Sequence, residues 1–384
     1  MYGTRLFGNL LRYYFHNKEL DELYAAVAIK SFAESIGSIF VPIFLYNLGF
    51  GFRDIAIYFL IAYTMLPITM PFAMVSCKRY GIKKTISIGI VFLVIFYLIL
   101  NLIPKGMPYG IAALLFGLSG GFFWGGFHVD FSKSVDHKRE AREFSLLRVL
   151  VMIFSALGPI VGALLIKNLS YASTFVVVSF MMLVSITPLF LTKDTKIGMK
   201  KISFKKIFKA DRKEKAYSYL GYGFLSISAL IIWPLVMYTI LKGIVILGAI
   251  ISTVSVAMVF WYLLVGELAD RKFKTTIISG CSLYAITWLF RAFYLTPFGV
   301  IFSHVLAQFT GSLANTPFIK LMYSEAKSSR DKGLYFLFRE FFLTFGKYMA
   351  LAILLLSNSY IVLFVTCSGA SFLYLYSLKN SKLY

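Results

Sequence analysis

The chain has 384 residues, of which 59% are hydrophobic and 15% are charged, and its mean hydropathy is +0.78. Soluble domains carry about one quarter charged residues because their surfaces face water, so this composition excludes an ordinary soluble protein. A net charge of +22 would suggest a nucleic-acid partner in a soluble chain, but a membrane topology accounts for it without one.

Twelve membrane-spanning helices, numbered spans 1 to 12, are predicted from apolar runs bounded by charged residues, Gly, Pro and Asn. The spans cover residues 23–46, 55–76, 83–103, 108–131, 143–166, 169–191, 217–241, 243–266, 275–296, 298–322, 334–356 and 359–378. The first 22 residues are polar and mixed, so we expect no cleaved signal peptide and expect span 1 to act as the targeting signal.

The basic residues are distributed unevenly between the two sides that these spans define. With the N-terminus in the cytoplasm, the inside segments hold 29 Lys and Arg residues and the outside loops hold four. This bias follows the positive-inside rule and explains most of the net charge. We therefore expect a multi-pass protein of the cytoplasmic membrane with both termini inside, surrounded by membrane lipid and without a nucleic-acid partner.

The largest basic segment lies in the middle of the chain. It predicts an N-terminal six-helix bundle over residues 1–191, a basic cytoplasmic linker over 192–216 and a C-terminal six-helix bundle over 217–384. We interpret the linker as a solvated topology determinant; the alternative is an amphipathic segment that lies on anionic lipid.

The two halves share two sequence patterns at one offset. The segment "KRYGIKKTISIG" after span 2 and the segment "DRKFKTTIISG" after span 8 lie about 192 residues apart, and Arg148 and Arg339 lie 191 residues apart in "FSLLRVL" and "YFLFREF". Two matches at one offset indicate a duplicated six-helix unit. Parallel repeats of this kind place a substrate site near the membrane midplane, at the interface of the halves.

Span 1 carries two charges inside an apolar run. Lys30 and Glu34 lie four residues apart in "AIKSFAESIGSIF", and a charge at the membrane centre costs about 2.5–3.5 kcal/mol on insertion scales. An apolar cavity favours a protonated carboxyl and a nearby Lys favours the charged form, so Glu34 is the predicted proton carrier. Asp130, toward the inside end of span 4, is a second candidate. The alternative is a Lys30–Glu34 pair that only neutralises itself.

The segment "GELADRKFKTT" after span 8 resembles the loop signature of the major facilitator superfamily, Gly-x-Leu-Ala-Asp-Arg-x-Gly-Arg/Lys. The matching residues are Gly266, Leu268, Ala269, Asp270, Arg271 and Lys274, with Phe273 at the second glycine. After span 2 the signature is eroded: Arg79, Gly81, Lys83 and Lys84 match, and Lys78 replaces the acidic residue. With the twelve-span pattern, the resemblance covers nearly the whole chain.

This resemblance implies an inner gate, in which the loop carboxylate meets the start of a helix of the other half, where the helix dipole favours an anion. Asp270 would face span 5 near Arg148, and Lys78 with Arg79 would face Glu340 in a charge-exchanged pair. The implied gate residues are Asp270, Arg271, Arg148, Lys78, Arg79, Arg339 and Glu340. The alternative is that the basic residues only follow the positive-inside rule, which we favour for Lys83 and Lys84.

The resemblance also implies that spans 1, 4, 7 and 10 line the solute path, with spans 2, 5, 8 and 11 beside them. The implied cavity residues are Lys30, Glu34, Ser38, Trp124, Trp233, Tyr238, Gln308, Asn315 and Lys347. Two deep lysines and one carboxylate suit a zwitterionic or anionic organic solute. Arg291 and Lys320 are predicted to lie near span ends, from which their side chains can reach water.

Two further motifs bear on the function. "LGPIVGALL" in span 5 resembles the Gly-Pro-x-x-Gly part of a proton-antiporter motif and slightly favours efflux over uptake, although close helix packing also explains it. "GLSG" in span 4 resembles the serine motif of intramembrane proteases, with Ser119 and His304 as a nominal pair. Twelve spans in two repeats fit a protease fold badly.

The sequence predicts no cofactor. Its three scattered cysteines form no disulfide framework or metal-ligand spacing, and it contains no Walker-A segment. We expect an all-α, monomeric secondary transporter, not an enzyme, that moves a small organic solute by alternating access and is coupled to protons. A receptor or scaffold of the same fold that does not transport is the alternative, because the first gate signature is eroded.

Overall fold

A computed structural model describes residues 18–134, 150–196, 213–328 and 332–379, and these residues form helices and no strand. Eleven of their helices are long and apolar enough to cross a membrane. A twelfth helix, Pro297–Ser328, has 32 residues and is longer but more polar. Helices α1 to α12 are Leu20–Asn47, Phe52–Arg79, Ile82–Leu100, Tyr109–Asp130, Leu150–Asn168, Tyr171–Phe190, Lys215–Leu241, Ile244–Arg271, Phe273–Phe293, Pro297–Ser328, Tyr335–Ser357 and Tyr360–Leu378. They confirm the all-α architecture and correspond one to one with the predicted spans.

Packing divides the chain into two compact units. Unit 1 consists of Met1–Ser38 and Ile68–Lys200, and unit 2 consists of Ile39–Pro67 and Lys201–Tyr384. The segment 39–67, which contains the end of α1 and the start of α2, therefore packs with the C-terminal helices. Most of the predicted basic linker, residues 197–212, lies outside the described residues.

Helix α1 is interrupted where the two units divide it. The helix stops after Gly37 and resumes at Phe40. Pro42 explains the break, because its ring clashes with the carbonyl four residues earlier and its nitrogen has no hydrogen to donate. Glu34 lies in the last helical turn before this break.

In unit 1, α3 lies against α4 with little space between the backbones. A Cβ atom at Gly89 of α3 would lie 2.5 Å from the backbone nitrogen of Phe123, closer than real Cβ atoms come. The absent side chain at Gly89 therefore permits the close approach that holds α4, and its residue Phe123, against α3.

In unit 2, α7 contains a π-helical turn at Ser228–Ile232, immediately before Trp233 and Pro234. A proline inside a helix removes one backbone hydrogen bond, and a wider turn before it accommodates the ring. Trp233 is fully buried there. The local distortion thus lies directly before Trp233, one of the two predicted cavity residues of α7.

Candidate functional site

Lys30 and Glu34 form an ion pair in α1. Lys30 Nζ lies 2.6 Å from Glu34 Oε2, since residues four apart share one face of a helix. The Lys30 side chain is 6% exposed, whereas that of Glu34 is 34% exposed. The ammonium group also lies 4.2 Å from the centroid of the Phe123 ring of α4, a cation–π contact. The lysine is thus enclosed, while its carboxylate partner stays accessible.

Aromatic residues of α4 extend this neighbourhood. Trp124 packs edge-on against Phe123, with ring centroids 5.3 Å apart, and stacks on His128 at 5.8 Å. Trp124 is exposed, and Asp130, farther along the same helix, is buried. Phe123 therefore connects Trp124 with Lys30, and through Lys30 with Glu34, in unit 1.

Helix α5 approaches α1 next to the ion pair. A Cβ atom at Gly158, the glycine of the predicted antiporter-like motif, would lie 1.8 Å from Oγ of Ser35. Ser35 directly follows Glu34, and its hydroxyl donates to the Phe32 carbonyl at 2.7 Å. The motif of span 5 thus packs against the turn of α1 that carries the carboxylate.

The predicted cavity residues of unit 2 have separate partners. The Tyr238 hydroxyl donates to Asn47 Oδ1 at 3.1 Å, and the Tyr374 hydroxyl donates to Asn315 Oδ1 at 2.5 Å. Gln308 of α10 is partly exposed, and Ser38, which belongs to unit 1, lies at the break in α1. These contacts do not gather the predicted residues into one cluster.

Lys347 is the deep lysine of unit 2. It is buried in α11, and its Nζ lies 3.8 Å from the ring centroid of Tyr63 in α2. The hydroxyl of the next residue, Tyr348, donates to Thr64 Oγ1 at 2.9 Å. A cation–π contact and a hydrogen bond therefore fix α11 against the start of α2.

The predicted gate residues of α8 have partners within unit 2. Lys320 Nζ lies 2.5 Å from Asp270 Oδ1, and Arg271 pairs with Glu267 one turn before it. The partner predicted for Asp270, Arg148, lies outside the described residues. The cross-half contact of Asp270 stays a prediction.

The charge-exchanged gate pair likewise stays a prediction. Arg339 Nη1 lies 3.3 Å from Glu340 Oε2, and its Nε donates to Met322 Sδ at 3.1 Å. Lys78 is exposed, and the Arg79 guanidinium lies 5.3 Å from the Tyr80 ring centroid. Glu340 thus has a cation beside it in its own unit.

The first turn of α3 anchors a network that the sequence did not predict. Lys83 Nζ donates to Glu22 Oε2 at 2.6 Å and to the hydroxyl and carbonyl oxygens of Thr192, at 2.5 and 3.2 Å. Both charged side chains are buried. Lys83 is therefore an interior cation that joins α1, α3 and the segment after α6, although the count of loop charges assigned it to the positive-inside bias.

Asp194 extends the same network by capping α3. Its carboxylate accepts hydrogen bonds from the backbone nitrogens of Lys83 and Lys84, at 2.9 and 3.1 Å, which would otherwise lack a partner at the helix start. Gly81 makes room for it: its φ is +121°, and a Cβ atom there would lie 2.2 Å from Asp194 Oδ2. The signal in the sequence is an isolated acidic residue in a basic segment.

The prediction that the Arg291 side chain reaches water is wrong. It is 1% exposed, and its guanidinium carbon lies 4.1 Å from the Trp233 ring centroid and 4.6 Å from that of Trp288. Its position near the end of α9 suggested an exposed cation, but the face of the helix that carries it is turned into unit 2.

The sequence matches the family model of the Major Facilitator Superfamily over residues 23–350. The chain belongs to the major facilitator superfamily. Transporters are also among the solved structures that it resembles. The nucleoside transporter NupG, in a point-mutant form, aligns with a TM-score of 0.71 and 12% identity, covering 94% of this chain and 99% of NupG.

Two further transporters of known structure show the same fold. A D-xylose-proton symporter aligns with a TM-score of 0.70 and 11% identity, over 92% of this chain and 96% of the symporter. A POT family transporter in complex with 5-aminolevulinic acid has a TM-score of 0.68 and 11% identity, over 94% and 95% of the two chains. At these identities the likeness shows the fold alone.

One curated sequence is related at a higher identity. An "Uncharacterized protein in sodM 3'region" of Geobacillus stearothermophilus is 28% identical over 175 residues, which are 44% of this chain and 81% of that protein. The comparisons support a secondary transporter and give neither its solute nor its direction.

Proposed function

We propose that this member of the major facilitator superfamily is a proton-coupled secondary transporter of a small organic solute, which works by alternating access. The observation that carries the proposal is the Lys30–Glu34 pair, in which an accessible carboxylate is the partner of an enclosed lysine in the middle of α1. Ionisable residues inside a membrane are costly and mark solute or proton pathways.

Protonation of Glu34 changes what Lys30 can bind. While the carboxylate is charged, its contact at 2.6 Å occupies the ammonium group. A protonated Glu34 leaves Lys30 in contact with the Phe123 ring, so that the ammonium can donate hydrogen bonds to an acidic group of the solute. Proton and solute then favour each other's binding, and by linkage the effect is reciprocal.

Charge balance favours the same scheme. The empty site holds one ammonium and one carboxylate, and the loaded site holds the ammonium, a neutral carboxyl and the solute's acidic group. With a monoanionic solute the site is neutral in both states, and charged groups left unpaired in an apolar interior are strongly unfavourable. Under this scheme an anionic or zwitterionic solute moves in the same direction as the proton.

Transport in proteoliposomes tests this proposal. Ligands are first found by thermal shifts across metabolites and drugs, and the uptake of the best ligand is then measured with an acidic exterior and with equal pH. We expect accumulation only with the gradient. Accumulation driven by the opposite gradient would instead support efflux by exchange, which the antiporter-like motif of α5 favours. Tight binding without flux under either gradient would support a receptor.

A further inference from the structure

Arg291 lies in a closed aromatic cluster in unit 2. The cluster consists of Arg291 and Trp288 of α9, Trp233 of α7, His304 of α10 and Phe364 of α12. Both tryptophans are fully buried, and Arg291 and His304 are nearly so. Four helices of the unit therefore contribute to the cluster, in which the two tryptophan rings contact the guanidinium.

The guanidinium has donors without acceptors. Arg291 Nε and Nη1 are buried and make no hydrogen bond, and Trp288 Nε1 makes none although Tyr284 lies one turn away. His304 supplies no negative charge, because its Nδ1 accepts from Trp233 Nε1 at 3.3 Å as a neutral ring. Three nitrogen donors in one cluster thus lack partners.

Two other buried cations of the described residues are paired with carboxylates, and a third, Lys347, lies over the Tyr63 ring. Lys30 contacts Glu34, and Lys83 contacts Glu22. Arg291 makes no ion pair with any described residue, and an unpaired charge in an apolar interior is strongly unfavourable. The two indole rings offset part of this cost by cation–π contact, but they do not satisfy the N–H groups.

We propose that Arg291 and Trp288 bind a small inorganic anion, chloride in the cell, inside unit 2. An anion supplies both the missing charge and the missing acceptors. Because the surrounding side chains are buried, the acidic group of an organic solute has no access, and a monatomic anion is the occupant that we propose. This site is separate from the Lys30–Glu34 pair.

Such an anion would hold the helices of unit 2 together. Trp233 follows the π-helical turn of α7 and contacts Arg291, so neutralising the guanidinium stabilises the point at which α7 departs from regular helix. A ligand that binds only the folded state raises stability in proportion to the logarithm of its concentration. Chloride should therefore protect the protein against unfolding more than a bulky anion at equal ionic strength.

Bromide quenching of tryptophan fluorescence tests the site directly. Bromide quenches an indole by contact, and two of the four tryptophans lie against Arg291. The purified full chain is titrated with bromide in place of gluconate at constant ionic strength. We expect quenching that saturates and that chloride reverses. In a Trp124→Phe/Trp261→Phe variant, which retains only the two cluster tryptophans, the saturating part should be a larger fraction of the signal.

The control variants separate binding from a general effect of charge. Arg291→Met should lose the saturating, chloride-reversible quenching, whereas Lys347→Met, which removes another buried cation of the same unit, should retain it. The proposal is overturned if wild-type quenching rises linearly with bromide and chloride has no effect. This result needs no variant, so a misfolded Arg291→Met protein leaves the test intact. Equal saturation in Arg291→Met would also overturn it.

Discussion

Replacement of Lys83 by methionine should strongly destabilise unit 1. The lysine is 3% and Glu22 is 6% exposed, so the substitution leaves a buried carboxylate whose remaining hydrogen bond comes from the Thr192 hydroxyl at 3.0 Å. Loss of one partner of a buried ion pair costs about 3–5 kcal/mol. A cooperative unit of about 150–250 residues loses about 2–4 °C per kcal/mol, so the unfolding midpoint should fall by roughly 10 °C.

The measurement is thermal unfolding of the detergent-purified protein, followed by intrinsic fluorescence, with Lys84→Met as the matched control. Lys84 is exposed, and its contact with Asp194 is made by the backbone nitrogen, so its side chain is dispensable. A Lys83→Met/Glu22→Leu variant should regain most of the loss, because an apolar pair can replace a buried ion pair at little cost. Equal midpoints for Lys83→Met and Lys84→Met would refute the reasoning.

Two glycine substitutions test other contacts by the same unfolding assay. Gly81→Ala combines a φ of +121° with a Cβ that would lie 2.2 Å from Asp194 Oδ2. The substitution should therefore lower the free energy of unfolding by about 1–3 kcal/mol. An unchanged unfolding midpoint would mean that the cap adapts freely. Gly223→Ala would place a Cβ 1.9 Å from the Leu343 carbonyl oxygen and force α7 and α11 apart. Its unfolding midpoint should fall below that of the control Gly266→Ala, in which the added Cβ meets no atom within 4 Å.

The positions of the helices could be predicted because hydropathy encodes membrane insertion directly. Predicted span 11, residues 334–356, corresponds to Tyr335–Ser357. Helices α2 and α8 instead continue to Arg79 and Arg271, beyond the predicted ends at 76 and 266. A helix does not stop where the apolar region ends, because its polar turns can continue into water with their backbone hydrogen bonds intact.

Local parts of the candidate site could also be predicted, and contacts distant in sequence could not. Lys30 and Glu34 lie one helical turn apart, so their spacing alone predicts the contact. Glu22 and Lys83 lie 61 residues apart, and no periodicity connects them. For Arg291, the sequence gives the depth along α9, but burial depends on which side of the helix faces Trp233, and this requires the packing of the unit.

The claim that Glu34 carries the coupled proton is tested most directly in proteoliposomes that contain the Glu34→Gln variant, by measuring solute accumulation and solute exchange. A proton-coupled carrier must lose a proton to return empty, whereas exchange of external for internal solute needs no such step. Glu34→Gln should therefore lose gradient-driven accumulation and retain exchange, while the control Asp54→Asn, which neutralises a carboxylate bonded to the Gly51 nitrogen, should retain both. Gradient-driven accumulation by Glu34→Gln at the wild-type level would contradict the assignment of Glu34 as the proton carrier.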